Sequence, residues 1–433
     1  MSIAADPFPT ARTHLAGQPI ADLAKQFGTP AYIYDVETIY RRIDDLASFD
    51  VIRYAQKAAS NIALLDRMRR RGVVVDAVSA GEIHRAIAAG YDPAGHKHEI
   101  VYTADIFDDA ALDLVIQHNM AVNCGSPDMI SQLGARRPGA DVTLRINPGF
   151  GHGHSQKTNT GGEGSKHGIW HTQIDDCCLR ADQHGVTVTG LHMHIGSGTD
   201  LQHLSEVCQA METAAMSVGR TIRRISAGGG LPVPYQAGET YVDLDESFSL
   251  WDQTRSRLSE AFGHRVELEI EPGRFLSAES GSLITTVRAI KRVGNNTFVL
   301  VDAGFNDLAR PVMYGAYHPI SLAAADGSDA STRQNLDVVV GGPLCESGDI
   351  FTQREGGYVE SRSLPAPKIG DHLVIENAGA YGFVMASNYN SKTRPPEVLV
   401  EDGQPKLIRR RESPEDLIRD EVIPTMTSTD SSN

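Results

Sequence analysis

No stretch of this 433-residue chain approaches the roughly 20 consecutive apolar residues that a membrane-spanning helix needs. The opening residues, Met1-Ser2-Ile3-Ala4-Ala5-Asp6, have neither the basic segment nor the apolar segment of a secretion signal. Cysteine is scarce, with five in all: Cys124, Cys177, Cys178, Cys208 and Cys345. Their odd number and irregular spacing argue against a disulfide framework, and the adjacent Cys177-Cys178 pair lacks the gap of a zinc site. Reduced thiols and a cytoplasmic location are the expectation. Positive charge is also short. Forty Lys and Arg face 55 Asp and Glu, and the net charge is −15. With its basic residues scattered, the chain is not expected to bind nucleic acid. The densest basic cluster, Arg409-Arg410-Arg411, follows a strand-like run and reads as a solvated edge.

What the chain does have is apolar content, 41%, enough to fill a large core. Its length implies two domains. Apolar runs alternate with helix-like stretches over residues 51–275. The runs are Val51–Tyr54, Val73–Val78, Ile100–Tyr102, Ala121–Asn123, Val142–Ile146, Val186–Met193, Ile222–Ser226 and Val266–Ile270. Such alternation predicts parallel βα units, and eight of them predict a (β/α)8 TIM-like barrel. Ser79-Ala80-Gly81-Glu82 reads as a capping box, and Gly90 as the stop of the helix that follows. Beyond residue 280 the texture changes. Leu283–Ile290, Phe298–Val301, Leu336–Val340, His372–Ile375 and Val398–Val400 predict a mostly antiparallel β domain with little helix. We expect the barrel over 36–280, residues 1–35 to join 281–423 in the β domain, and 424–433 to form a disordered tail.

Chemistry-bearing residues recur at the C-terminal ends of the predicted strands, where barrels of this kind build their sites. Lys57 follows the first strand and is placed to form a Schiff base with an aldehyde cofactor. A lone lysine there is ordinarily just solvated, so the reading depends on its companions. Asp76 lies late in the second strand and Arg145 near the end of the fifth. His192 and His194 close the sixth, Gly228-Gly229-Gly230 follows the seventh, and Glu271 follows the eighth. The triple glycine lets backbone N–H groups approach a phosphate, and Ser197 can add a hydroxyl. A flexible turn is the plainer reading of the glycines. His194 suits a ring stacked on a flat cofactor, and His192 reads as a packed core residue. A metal held by the two histidines is disfavoured, because no carboxylate or thiol nearby in sequence completes its shell. Glu271 can keep a pyridine nitrogen protonated so that the ring accepts electrons, and Arg274 can pair with a carboxylate or phosphate. Together these match the needs of pyridoxal phosphate. Cys345, in a Gly/Pro-flanked loop, can donate a proton. Arg310 and Tyr314 can bind a distal carboxylate or be structural, and Tyr381 offers a hydroxyl.

The segments Tyr54-Ala55-Gln56-Lys57-Ala58, His192-Met193-His194-Ile195-Gly196-Ser197, Glu271-Pro272-Gly273-Arg274 and Cys345-Glu346-Ser347-Gly348-Asp349 resemble those of the fold-type III pyridoxal phosphate decarboxylases. The likeness runs from about Thr29 to Arg411. The loop from Asn147 to Gly168 looks like that of the enterobacterial-type subgroup. The resemblance implies an alanine racemase-like fold and decarboxylation of meso-2,6-diaminopimelate to L-lysine and carbon dioxide. It implies that Lys57 carries the cofactor with Asp76 near it, that His194 stacks on the ring and that Glu271 pairs with its nitrogen. Ser197, Gly228, Gly229, Gly230, Gly273, Arg274 and Tyr381 would hold the phosphate or its surroundings. Arg274, Arg310, Tyr314, Glu346 and Tyr381 would contact substrate, and no metal is implied. Cys345 and Glu346 would come from the second subunit of a homodimer. Two segments depart from many relatives: Gln56-Lys57-Ala58-Ala59, and Thr103-Ala104-Asp105-Ile106 after the third strand. They leave room for a sister decarboxylase acting on ornithine, D-lysine, carboxynorspermidine or a siderophore precursor. A racemase is disfavoured by Glu271, and a non-enzymatic cofactor carrier by the β region after residue 280.

Overall fold

The computed structural model describes residues 8–94, 98–151, 160–194, 196 and 201–424. Eight parallel strands close on themselves: Val51–Ala55, Val74–Ala77, Ile100–Ala104, Ala121–Cys124, Asp141–Asn147, Thr187–His192, Arg224–Ser226 and Glu267–Ile270. The last pairs with the first, and Thr187–His192 pairs directly with Asp141–Asn147. The two-residue strand Ile169–Trp170 extends the end of Asp141–Asn147. This is the expected barrel, and each observed strand overlaps its predicted run.

Helices between the strands start where short polar side chains satisfy the first free N–H groups. Asn61, Ser79, Asp108 and Asp243 each accept a bond from a backbone N–H of the first turn. Glu82 reaches back to the N–H of Val78, one residue before Ser79, which gives the expected capping box a one-residue offset. Gly90, at φ +91°, ends that helix. Leu64, Leu65, Met68, Ile83 and Ala86 turn inward and pack on buried strand residues such as Val75, Ile100 and Tyr102.

A second sheet runs Arg362–Pro365, Asn335–Gly341, Asn296–Val301, Gly281–Val293, Ala31–Asp35, Glu397–Glu401 and Gln404–Arg409 in spatial order. His372–Ile375 also pairs with Gly281–Val293 and carries Ile320–Ala323 on its other edge. Most pairings are antiparallel. Ala31–Asp35 with Glu397–Glu401 and Asn296–Val301 with Asn335–Gly341 are parallel. The edge strand Gln404–Arg409 is the strand-like run expected just before the basic cluster. Of the three arginines expected at a solvated edge, Arg410 is exposed, whereas Arg409 and Arg411 are half-buried. Arg409 Nε pairs with the buried Glu397, Arg410 pairs with Asp416, and Arg411 Nη2 donates to Pro30 O at 2.8 Å. Facing carboxylates and a carbonyl, out of reach in sequence, hold them. The expected disordered tail lies outside the described residues except for Pro424.

The turn Gly379–Gly382 joins the second sheet to the barrel mouth. The Tyr381 N–H donates to Ala58 O at 2.7 Å, one residue from Lys57. Gly379 is packed so tightly that an added Cβ would stand 1.9 Å from Ser277 O.

Candidate active site

Strand register brings the polar residues to one level. Ala55 pairs with Asp76, His192 with Arg145 and with Ser226, and Ser226 with Glu269. Side chains at these strand ends point into a cleft at the mouth of the barrel. It is lined by Lys57, Asp76, Thr103, Arg145, His192, His194, Gly229, Gly230, Glu271, Gly273, Arg274 and Tyr381, among others. Most residues singled out from sequence therefore converge. Ser197 lies outside the described residues.

Glu271 is the electrostatic centre. Its Oε2 is 2.7 Å from His192 Nε2, and its Oε1 accepts from Ser226 Oγ at 3.3 Å. Burial opposes its charge, but His192, Arg53 and Arg145 outweigh burial and hold the carboxyl down at about 2. Arg53 is itself buried and paired with Glu269 at 3.0 Å. Asp76 goes the other way. Burial, then the charge of Glu271, pushes its carboxyl up to about 7 against the pull of Lys57. Two buried carboxylates are thus driven apart, one kept charged and the other able to hold a proton near neutrality. His194 is half-buried at the cleft wall, and desolvation followed by the charges of Arg145 and Lys57 keeps its ring well below the usual histidine range. A neutral, flat imidazole results.

Two expectations change here. His192 is not merely packed, because it is hydrogen-bonded to Glu271. A carboxylate therefore does stand beside the histidine pair, 79 residues away in sequence. Among the described residues no group of three or more metal-ligating side chains forms. Of the three glycines, Gly229 and Gly230 face the cleft. Gly228 instead donates its N–H to Ser226 Oγ at 3.2 Å and accepts from Glu271 N, because its φ of +65° turns it back into the sheet.

Beyond the cleft lies a second polar layer. Arg310, on the short helix Arg310–Tyr314, is buried, and its guanidinium carbon sits 5.0 Å over the Tyr235 ring. Arg274 Nη1 donates to Tyr235 Oη at 3.0 Å, and its guanidinium lies 5.1 Å over the Tyr381 ring. Among the described residues neither arginine faces a carboxylate at ion-pair distance, an arrangement that favours an anionic ligand. Tyr235 escaped the sequence reading, having only its place five residues after the triple glycine to mark it. Tyr314 is exposed beside this layer, and Cys345 and Glu346 are exposed and do not line the cleft. Their loop is built on the buried Asp349, which accepts from Phe305 N and Leu344 N at 2.8 Å each, and its tip faces outward.

Residues 35–278 match the family model for the pyridoxal binding domain of pyridoxal-dependent decarboxylases. The chain belongs to the pyridoxal-dependent decarboxylases. This decarboxylase is 54% identical over 411 residues to the diaminopimelate decarboxylase of Escherichia coli K12, covering 95% of this chain and 98% of that one. It is 53% identical to the diaminopimelate decarboxylase of Streptomyces coelicolor, covering 95% and 93%. A crystal structure of diaminopimelate decarboxylase superposes with a TM-score of 0.92 at 53% identity, covering 95% of this chain and 99% of that one. The Helicobacter pylori diaminopimelate decarboxylase, solved with L-lysine, superposes at 0.80 with 31% identity, covering 92% and 98%.

Pyridoxal phosphate is the cofactor of this enzyme, and the cleft fits it. Asp76 Oδ1, Thr103 Oγ1 and His194 Nδ1 are buried polar atoms with no hydrogen-bond partner among the described residues, as polar groups facing a bound ligand would be. An amine, a charged carboxylate, a neutral flat ring and glycine backbone lie around the same space.

Proposed function

We propose that this chain decarboxylates meso-2,6-diaminopimelate at its D-configured centre, giving L-lysine and carbon dioxide as the closing step of lysine biosynthesis. The observation that carries the reading is a cleft that joins Lys57 and charged Glu271 to Arg274, with Arg310 in the layer behind it, and neither of these arginines faces a carboxylate at ion-pair distance among the described residues. The identity to named diaminopimelate decarboxylases supports the substrate.

When bound, the cofactor's protonated pyridine ring withdraws the electron pair left as carbon dioxide departs. The residues of this chain do the rest. Lys57 would hold the cofactor through its Nζ. Glu271, kept ionised by its surroundings, holds the proton on the ring nitrogen. His194 would support the cofactor ring, and Gly229 and Gly230, together with Ser197 as the family resemblance implies, would hold the phosphate. Arg274 and Tyr381 hold phosphate or substrate. Arg310, with Tyr314 and Glu346, reads the carboxylate and ammonium of the centre that does not react. Cys345 of the partner subunit gives its thiol proton to the reacting carbon.

That last role needs a homodimer. Cys345 and Glu346 are exposed at the tip of an ordered loop, and a Cβ on Gly348 would meet Val312 at 3.2 Å. Val312, Met313 and Tyr314 expose apolar surface beside it, which a second copy would cover. A cytoplasmic location fits the free state of all five cysteines.

The test is carbon dioxide and lysine release from meso-diaminopimelate with added pyridoxal phosphate, run beside ornithine, D-lysine and carboxynorspermidine. Strong preference for diaminopimelate, lost in Lys57→Ala, supports the reading. Preference for another amine keeps the chemistry and rejects the substrate.

A further inference from the structure

Tyr235 and His318 were singled out by no sequence feature, yet they contact both guanidiniums of the second layer. Tyr235 Oη accepts from Arg274 Nη1 at 3.0 Å. The guanidinium carbons of Arg310 and Arg274 stand 5.0 and 5.8 Å from the centre of its ring. His318 packs edge-on to the same ring, with centroids 5.4 Å apart and planes at 86°. On its other side Arg310 Nη1 lies 2.8 Å from His318 Nε2, and His318 Nδ1 lies 2.9 Å from Glu376 O.

This geometry decides the tautomer. A backbone carbonyl only accepts, so His318 Nδ1 carries the hydrogen. His318 Nε2 then has a lone pair, which takes a hydrogen from Arg310. Burial, followed by the charge of Arg310, keeps the ring well below the usual histidine range, so it stays neutral. Arg310 is therefore tied through His318 to the backbone of strand-flanking Glu376, and Arg274 is tied to a tyrosine that attracts both cations. Two like charges would otherwise splay apart, and each long side chain would hold several rotamers.

We propose that Tyr235 and His318 are positioning residues that hold Arg274 and Arg310 at a fixed spacing, so that a substrate with a carboxylate distal to the reacting carbon binds in register. The proposal rests on the reading of those arginines given above. A site organised before binding spends less of its interaction energy on ordering side chains.

The experiment uses the holoenzyme with Tyr235→Phe, which removes one hydroxyl, His318→Phe, which removes both ring nitrogens, and His318→Gln, which restores an acceptor and a donor. It measures KM and kcat for meso-diaminopimelate, and binding of L-lysine and of cadaverine followed by cofactor absorbance. L-Lysine keeps the distal carboxylate and cadaverine has none. For both Phe variants, KM and the lysine dissociation constant should rise about tenfold, kcat should fall less than about threefold, and cadaverine binding should not move. His318→Gln should recover most of the loss. Unchanged lysine binding, or equal weakening of lysine and cadaverine, overturns the proposal. A wild-type enzyme inactive on diaminopimelate would defeat the substrate reading alone, because the lysine-to-cadaverine comparison does not require turnover.

Discussion

Lys57 and Glu271 line one cleft and follow neighbouring strands of the barrel, and each carries a different part of the proposed chemistry. Lys57→Ala should abolish turnover and the absorbance of covalently held cofactor together. Glu271→Gln should keep the cofactor and lower kcat by about two orders of magnitude, the scale of losing one preorganised charge, as steady-state assay would measure. A fall of less than about threefold would remove it from the electron-withdrawing role. Asp76 makes a prediction about pH. Its carboxyl is raised from about 4 to about 7, so the folded protein binds a proton that the unfolded chain releases. That contribution is complete below about pH 4 and is lost as pH rises through about 7. In cofactor-free protein, Asp76→Asn should therefore gain on wild type as pH climbs across that window and keep a constant lead above it. A melting-temperature difference independent of pH would contradict the assignment.

Turns set the precision of the cleft. Gly230 has φ of +106°, and an added Cβ would lie 2.3 Å from Gly196 O. Gly230→Ala would strain its own backbone by about 1–3 kcal/mol and push against Gly196. Cofactor affinity should fall at least about tenfold while circular dichroism stays native. The helices matter less individually. Their polar N-terminal residues fix where each begins, and their apolar faces press the barrel strands into register. One short helix, Arg310–Tyr314, carries two of the expected substrate contacts inside a region expected to be nearly all strand. Its five residues are too few to show a helical period against the surrounding β pattern.

Assembly is the largest scale on which this enzyme must work if Cys345 is its proton donor. Cys345→Ala should slow turnover strongly while leaving cofactor absorbance intact, and near-normal turnover would end the donor role. Mixing makes the partner contribution visible. Lys57→Ala and Cys345→Ala homodimers should each be nearly inactive. Unfolded together and refolded, they should recover up to about a quarter of wild-type activity, because half of the dimers would be hybrids with one intact site. No recovery would place Cys345 in its own subunit's site or outside the chemistry.

The barrel was legible because parallel strands alternate with helices and bury continuous apolar runs that stand out in a linear pattern. Lys57, Asp76, His194 and Glu271 were legible for a related reason: each closes a strand, and strand ends in this fold share one rim. The partners of Arg409, Arg410 and Arg411 were not legible, since the carboxylates and carbonyl that hold them lie elsewhere in the chain. Sequence order by itself determined the fold, the cofactor chemistry and most of the polar residues at the barrel mouth. Only the tertiary structure decided that His192 bonds Glu271, that Arg53 and Arg145 help keep that carboxylate charged, and that Tyr235 and His318 bracket two arginines. Those contacts join residues far apart in the chain, and spacing along a sequence says nothing about which buried polar groups close on one another when the core packs.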